Sequence, residues 1–223
     1  MSIADLATFL KRNVDEYLLA DLESLIRLNP APGRTAGAAG YPLLVSTFAG
    51  IELLGGLVSS SPFDRNAGAK RFAEFWIDYM YRGNANRAAA GPVLYQLARH
   101  GLAHAFVVKG NLEVVKGEPR LHLVTTGKGA ISVDAVQLAI DFRTAYESQV
   151  KPNVISGTPL AKTMADRHAE MASEYGKQAA ELLPILKLPL ESAASSQVAP
   201  NAVQSGINTS SPAFMQTIIK STP

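Results

Sequence analysis

The segment LYQLARHGLAHAF, residues 94–106, holds the side chains of this chain that are best suited to acid–base chemistry on a phosphate. It carries Arg99, His100 and His104, although the whole chain has only 4 histidines. A histidine can accept or donate a proton near neutral pH, and an arginine can hold a phosphate through paired hydrogen bonds. The segment is therefore a candidate site for acid–base catalysis on an anionic substrate.

Helical geometry divides this segment into two sides. At about 100° per residue, one stripe collects its apolar and small residues and predicts a core-facing side: Leu94, Leu97, Ala98, Gly101, Leu102 and Ala105. Arg99 and His100 lie on the opposite arc, with His104 at its edge. Because Arg99 and His104 are separated by about 140° around a regular helix, they are not stacked neighbours. The two side chains can meet in one of three ways: the long arginine reaches across the helix, the helical turn is loosened at Gly101, or another surface completes the pair.

Two other interpretations of these residues stay open at this point. The first is a solvated polar face, which is the ordinary situation for such side chains on a helix. The second is a metal site in which His100 and His104, at i and i+4, are joined by His122 as a distant third ligand. No HExxH motif and no cysteine accompanies the pair. We therefore expect no metal and no cofactor.

Composition places the chain among globular proteins and restricts the classes of function. Hydrophobic residues make up 47% and charged residues 18%, which excludes disorder throughout. A net charge of +2 means that any surface for nucleic acid has to be local. The chain has no cysteine, and MSIADLATFLKRN lacks the basic and apolar regions of a secretory signal. We expect a cytoplasmic protein.

Apolar periodicity predicts a mainly α fold. The pattern favours helices over residues 3–28, 41–60, 69–83, 88–106, 134–150 and 159–183. Between the fourth and fifth helices, residues 107–133 combine alternating apolar residues with glycine turns, which predicts a short β-hairpin or three-stranded meander. We expect a helical domain over 1–150, a peripheral C-terminal helix within 151–188 and a disordered tail over 189–223.

Residues 41–60 have nearly the length of a membrane span. Glu52 lies at the middle of this segment, where a charge costs about 2.5 to 3.5 kcal/mol on insertion scales. We interpret the segment as the central helix of a soluble bundle and expect no membrane partner. If Glu52 is buried it needs a partner, for which Arg99 or a histidine is a candidate; the alternative is that it faces solvent at a helix edge.

The histidine segment also resembles the R-x4-6-H signature of the HEPN superfamily, in which a polar residue follows the arginine, as His100 does here. The blocks FAGIELLGGL, KRFAEFWIDYM and LYQLARHGLAHAF, followed by a hairpin and a closing helix, are similar to a group of small bacterial HEPN-like proteins without an established biochemical role. The resemblance covers residues 41–150. It implies a helical bundle with the motif near the end of a late core helix.

The resemblance implies a metal-independent endoribonuclease with a role in stress or bacterial defence. Arg99 would then hold the scissile phosphate, His104 would act as general base or acid, and His100 and Glu52 would orient or assist. Sites of this family are composed at a dimer interface, which implies a homodimer, RNA as substrate and a protein partner such as an antitoxin. Many members lack activity, so the alternative is a non-catalytic dimerisation or interaction module.

Basic side chains near the insertion are candidates for contact with an RNA backbone: Lys109, Lys116, Arg120 and Lys128. Glu113 and Glu118 interrupt this series, so an ordinary solvated hairpin is the alternative.

Overall fold

A computed structural model describes residues 1–29, 32, 39–61, 63, 67–99 and 110–183, with only the backbone described for Arg99. The predicted mainly α fold is confirmed: this part of the chain contains six helices and one small three-stranded sheet. Residues Met1–Glu181 form one compact unit. The tail predicted over 189–223 lies outside the described residues.

Helix α1 spans residues 3–27, in agreement with the sequence pattern. It begins in α geometry at Ile3–Leu10, continues in π-helical geometry over Lys11–Leu18 and returns to α geometry at Leu19–Arg27. Ser2 begins the helix with a capping box, since its hydroxyl accepts from the Asp5 amide while the Asp5 carboxylate accepts from the Ser2 amide. The buried side of α1 is apolar: Leu6, Leu10, Val14, Leu19 and Leu22.

Helix α2, Gly40–Val58, is the central helix of the bundle and packs against the helices that follow it. Six of its large side chains are fully buried: Leu43, Leu44, Phe48, Ile51, Leu54 and Leu57. By length and composition α2 is also long and apolar enough to cross a membrane, but 56% of that window is buried inside the protein. Core helices of soluble proteins have the same properties, so the absence of a membrane partner stays a prediction.

Helices α3 and α4 pack against each other around the only tryptophan. Helix α3 comprises Gly68–Phe75 and the π-helical Trp76–Met80, and α4 comprises Ala85–Leu94 and the π-helical Tyr95–Arg99. Gly91 lets α4 pack closely against α3, since a Cβ at that position would lie 2.5 Å from the Trp76 ring. Helix α4 begins at Ala85, three residues before the predicted start at residue 88. The Asn84 side chain caps the helix by accepting a hydrogen bond from the Arg87 amide.

The insertion after α4 contains strands β1 (Leu112–Val115), β2 (Val124–Thr125) and β3 (Ile131–Asp134), with a 3₁₀ turn at Pro119–Leu121. Strand β3 is central, antiparallel to β2 and parallel to β1. The predicted hairpin therefore corresponds to β2 and β3. The alternative, a three-stranded meander, was wrong, because β1 pairs with β3 and not with β2. After β1 the chain passes through the 3₁₀ turn, and β2 then pairs with the opposite edge of β3.

Helix α5 begins at Ala135 behind the Asp134 cap and continues to residue 155. It includes a π-helical stretch, Tyr146–Val150, and a last α-helical stretch, Lys151–Ile155. The helix passes through residue 150, where we expected it and the domain to end. Proline at 152 does not interrupt it; Pro152 lies at the start of the last stretch, directly after the π-helical stretch.

Helix α6, Pro159–Leu182, is less peripheral than predicted. Its first half contributes Ala161, Met164 and Ala165 to the core, and the Arg167 guanidinium donates to the carbonyl oxygens of Gly56 and Ser61. Alanine and methionine gave only weak amphipathicity in the sequence, but their small or flexible side chains pack closely against the bundle. Only the second half of the helix is largely exposed.

Candidate functional site

The first half of the histidine segment has the two sides that its sequence predicts. Leu94 and Ala98 are fully buried, whereas Gln96, on the polar arc, is exposed. Arg99 is the last residue of the π-helical stretch of α4. His100, His104 and Lys109 lie outside the described residues, so the convergence of Arg99 and His104 stays a prediction.

The other predicted site residues are not gathered at one place. Glu52 is half-buried on α2 and interacts with another group of the protein. The Lys116 ammonium donates to the carbonyl oxygen of Leu25 at 2.8 Å and to that of Leu28. It therefore satisfies carbonyls at the end of α1, and burial lowers its pKa. Arg120 and Lys128 are exposed on the insertion.

A cluster of polar side chains that the sequence did not predict joins the insertion to the bundle. We call it the Tyr81 network, and its members come from the α3–α4 turn, α4, the insertion and α5: Tyr81, Arg87, His122, Gln137 and Asp141. Asp141 is its centre. Its Oδ2 accepts from the Tyr81 hydroxyl at 2.7 Å and lies 3.3 Å from His122 Nε2, and its Oδ1 accepts from the Gln137 amide at 2.7 Å.

Proton positions in the Tyr81 network follow from these contacts. The Tyr81 hydroxyl donates its hydrogen to Asp141, so its oxygen accepts from His122 Nε2 at 3.1 Å. His122 then carries hydrogen on Nε2. Its other nitrogen, Nδ1, is buried and has no hydrogen-bond partner in the described part of the chain.

Charge in the Tyr81 network is concentrated on Asp141. Burial raises the pKa of this carboxyl, but its polar contacts with His122, Tyr81 and Gln137 outweigh burial and leave the pKa below its ordinary value. Burial, followed by the negative charge of Asp141, raises the pKa of Tyr81 far above that of a free phenol. Arg87 adds a cation 3.7 Å from Asp141. The network thus holds an ionised carboxylate beside a neutral phenol.

The Tyr81 network connects chain segments and is not open to a substrate in this conformation. The His122 side chain is 0% exposed and that of Asp141 is 16% exposed. From the sequence, His122 was considered as a distant metal ligand or, with the basic residues of the hairpin, as a contact to a phosphate backbone. The available signal was the pair Gln137 and Asp141, four residues apart in the otherwise apolar stretch 135–142, which is the spacing of a side-chain hydrogen bond.

The stability of the protein should depend on the ionisation of Asp141. Because the folded-state pKa of Asp141 is depressed, its contribution is present above the unfolded-state value of about 3.9 and is lost as pH falls through the folded-state value. We expect Asp141→Asn to be less stable than the wild type near pH 6 and the difference to shrink on acidification below about pH 4. Urea unfolding of both proteins across this pH range measures the difference. A gap that stayed constant would contradict the assignment of an ionised carboxylate.

A polar groove of about 610 Å³ lies among the described residues. Glu74, Asp78, Tyr79 and Arg82 are among its lining residues, and the Glu74 carboxylate accepts from the Ser59 hydroxyl. Its two carboxylates would repel a phosphate backbone, so this groove does not fit RNA. No group of three or more histidine, aspartate or glutamate side chains that could hold a metal is found among the described residues.

Comparisons with known proteins give no identification: no family model matches the chain, and neither a curated protein nor a solved structure shows significant similarity to it.

Proposed function

We propose that this chain is a HEPN-like, metal-independent endoribonuclease that uses Arg99 and His104. The observation that carries the proposal is the helical placement of Arg99 on α4, whose preceding residues Leu94 and Ala98 are buried in the core. A helix anchored in the core in this way supports a defined position for the arginine that would hold a phosphate. The sequence then supplies His104 five residues further on.

The reaction assigned to these residues is a transesterification within the RNA. His104 removes the proton of a ribose 2′-hydroxyl, whose oxygen attacks the adjacent phosphorus. The bond from phosphorus to the 5′-oxygen breaks, and this oxygen takes a proton from the acid form of a histidine. Arg99 holds the phosphate and stabilises the charge that develops on its oxygens. The products are a 2′,3′-cyclic phosphate and a 5′-hydroxyl.

A homodimer is part of this proposal. Arg99 and His104 are separated by about 140° on a regular helix, so one copy does not bring both to the same phosphate without distortion. Two copies related by a twofold axis can each supply one of the two residues. Exposed Val93, 42% accessible on the outer side of α4, provides apolar surface near the motif for such a contact.

That same exposed surface also supports the second candidate, a dimerisation or interaction module without catalytic activity. The cleavage of a mixed RNA pool by the purified protein in EDTA distinguishes the two functions. We expect cleavage that resists EDTA and leaves 2′,3′-cyclic phosphate ends. A protein that binds RNA or a second copy of itself but leaves the pool intact would instead support the module.

A further inference from the structure

The polar groove lies where α2, α3, α5 and α6 meet, and its volume is about 610 Å³. Sites for small organic ligands have volumes of about 300 to 1,000 Å³. The polar side chains that line the groove come from α3, from the turn after α3 and from α5: Glu74, Asp78, Tyr79, Arg82, Gln149 and Asn153. The groove is therefore large enough for a small ligand and offers it several polar contacts.

Hydrogen bonds fix the wall that α5 contributes. The Gln149 side-chain amide donates to the Tyr79 carbonyl oxygen at 2.6 Å, and the Asn153 side-chain amide donates to the Gln149 carbonyl oxygen at 2.5 Å. The hydroxyl of Thr158, directly before α6, donates to the side-chain oxygen of Asn153 at 2.8 Å. These bonds join α3, α5 and the start of α6, so the groove has the preformed walls that ligand sites commonly have.

Two π-helical stretches border the groove. Trp76–Met80 supplies Asp78 and Tyr79, and Tyr146–Val150 supplies Gln149. Short π-helical turns within α-helices are frequent at functional sites. Such stretches also occur in α1 and α4, so the significant observation is that two of them meet at one groove, through the bond from Gln149 to Tyr79.

Glu74 presents a carboxylate whose position is fixed. It accepts from the Ser59 hydroxyl and, at 3.3 Å, from the Ser61 hydroxyl, and both serines are buried. Lys70, on the same helix, lies 3.8 Å from Glu74, but its side chain is 69% exposed, so water weakens this ion pair. The negative charge of Glu74 therefore remains available to a ligand.

Asp78 and Arg82 add two charges of opposite sign. Both side chains are exposed, and no ion pair of either one is found within the described residues. Both charges act on the Tyr79 hydroxyl: burial, followed by Asp78, raises the pKa of Tyr79, and Arg82 lowers it. The groove thus presents separate acceptors for cations and a separate donor for an anion near one phenol.

We propose that this groove binds a basic α-amino acid, a ligand with an α-ammonium group, a carboxylate and a cationic side chain. The Arg82 guanidinium holds the carboxylate of the ligand through paired hydrogen bonds, and Asp78 and Glu74 accept from its two cationic groups. Two carboxylates and one guanidinium of the protein then face two cations and one carboxylate of the ligand. A polyamine would instead place a cation at Arg82. The inference is independent of the proposed ribonuclease function.

Isothermal titration calorimetry of the purified chain with L-arginine tests the proposal. We expect one site with a Kd on the order of 0.1 mM, which is ordinary for a ligand of this size. Agmatine lacks the carboxylate and L-citrulline lacks the cationic side chain, so each should bind about tenfold more weakly than L-arginine. Equal affinity for either analogue, or no binding of L-arginine at about 10 mM, would overturn the proposal.

Two variants assign the contacts. Arg82→Ala should lower the affinity for L-arginine about tenfold without lowering the affinity for agmatine, which has no carboxylate to lose. Asp78→Asn should lower the affinity for both ligands. Because both side chains are exposed, the variants should keep the fold. Arg12→Ala and Asp21→Asn replace the same residue types at exposed positions of α1 and should bind like the wild type.

Wild-type affinity for L-arginine in Arg82→Ala or Asp78→Asn would overturn the assignment of this groove. Binding of L-arginine by a protein that cleaves no RNA would leave the inference intact and remove only the ribonuclease function.

Discussion

Replacing Arg99 or His104 by alanine should abolish most RNA cleavage while the protein keeps its fold. A positioned general base or acid contributes about 100- to 10,000-fold to such a rate, and a fixed cation at the phosphate contributes about 100- to 1,000-fold. Because the two residues act on the same transition state, the double variant should lose little more than the worse single variant. Initial rates on a mixed RNA pool in EDTA, with end-group analysis, measure these losses.

Three variants control for indirect effects. Arg12→Ala removes an exposed arginine from α1 and should cleave like the wild type. Arg120→Ala removes an exposed arginine of the insertion, and if that residue contacts the RNA backbone the variant should bind RNA more weakly at low salt, with a smaller salt dependence and unchanged products. His100→Ala should have a smaller effect than His104→Ala. Cleavage that persists at the wild-type rate in Arg99→Ala and His104→Ala would assign the activity to another site or to a contaminant.

The same two variants also test the dimer. If each site takes Arg99 from one copy and His104 from the other, an equal mixture of Arg99→Ala and His104→Ala forms heterodimers with one intact site. Half of the dimers would be mixed and half of their sites intact, so about a quarter of the wild-type activity should return. A mixture that exchanges subunits and stays inactive would place both residues of a site on one copy.

Local sequence patterns predicted the helices of this protein well, because the apolar spacing of each helix repeats over several turns. Ser2 and Asp134 are of the residue types that cap helices, and both accept the expected backbone hydrogen bonds. The order of the strands was not predictable in the same way. The parallel pairing of β1 with β3 depends on a crossover through Pro119–Leu121, and no local signal distinguishes this path from a hairpin.

The candidate site was also predictable only where it depends on local sequence. The polar and apolar sides of α4 could be predicted from residue spacing, as Leu94, Gln96 and Ala98 show. The Tyr81 network could not, because Tyr81 and Asp141 are 60 residues apart and their contact arises only when α3 and α5 pack. For Lys116 the sequence offered only its charge, which suggested contact with RNA. The structure adds that its ammonium donates to the carbonyl oxygen of Leu25, 91 residues earlier in the chain, a contact that no local pattern indicates.

Gly55→Ala should destabilise the protein, although alanine is the better helix former by about 1 kcal/mol. A Cβ at Gly55 in α2 would lie 2.4 Å from the backbone oxygen of Arg71 in α3, and backbone cannot move aside cheaply. Separating two core helices costs more than the gain in helix propensity, so we expect a net loss of about 1 to 3 kcal/mol in the free energy of unfolding. Gly176→Ala is the matched control in the exposed second half of α6, where a Cβ meets nothing within 4 Å, and it should stabilise by up to about 1 kcal/mol. Urea unfolding of both variants should therefore give changes of opposite sign; the same sign in both would show that α2 and α3 do not meet this closely at Gly55.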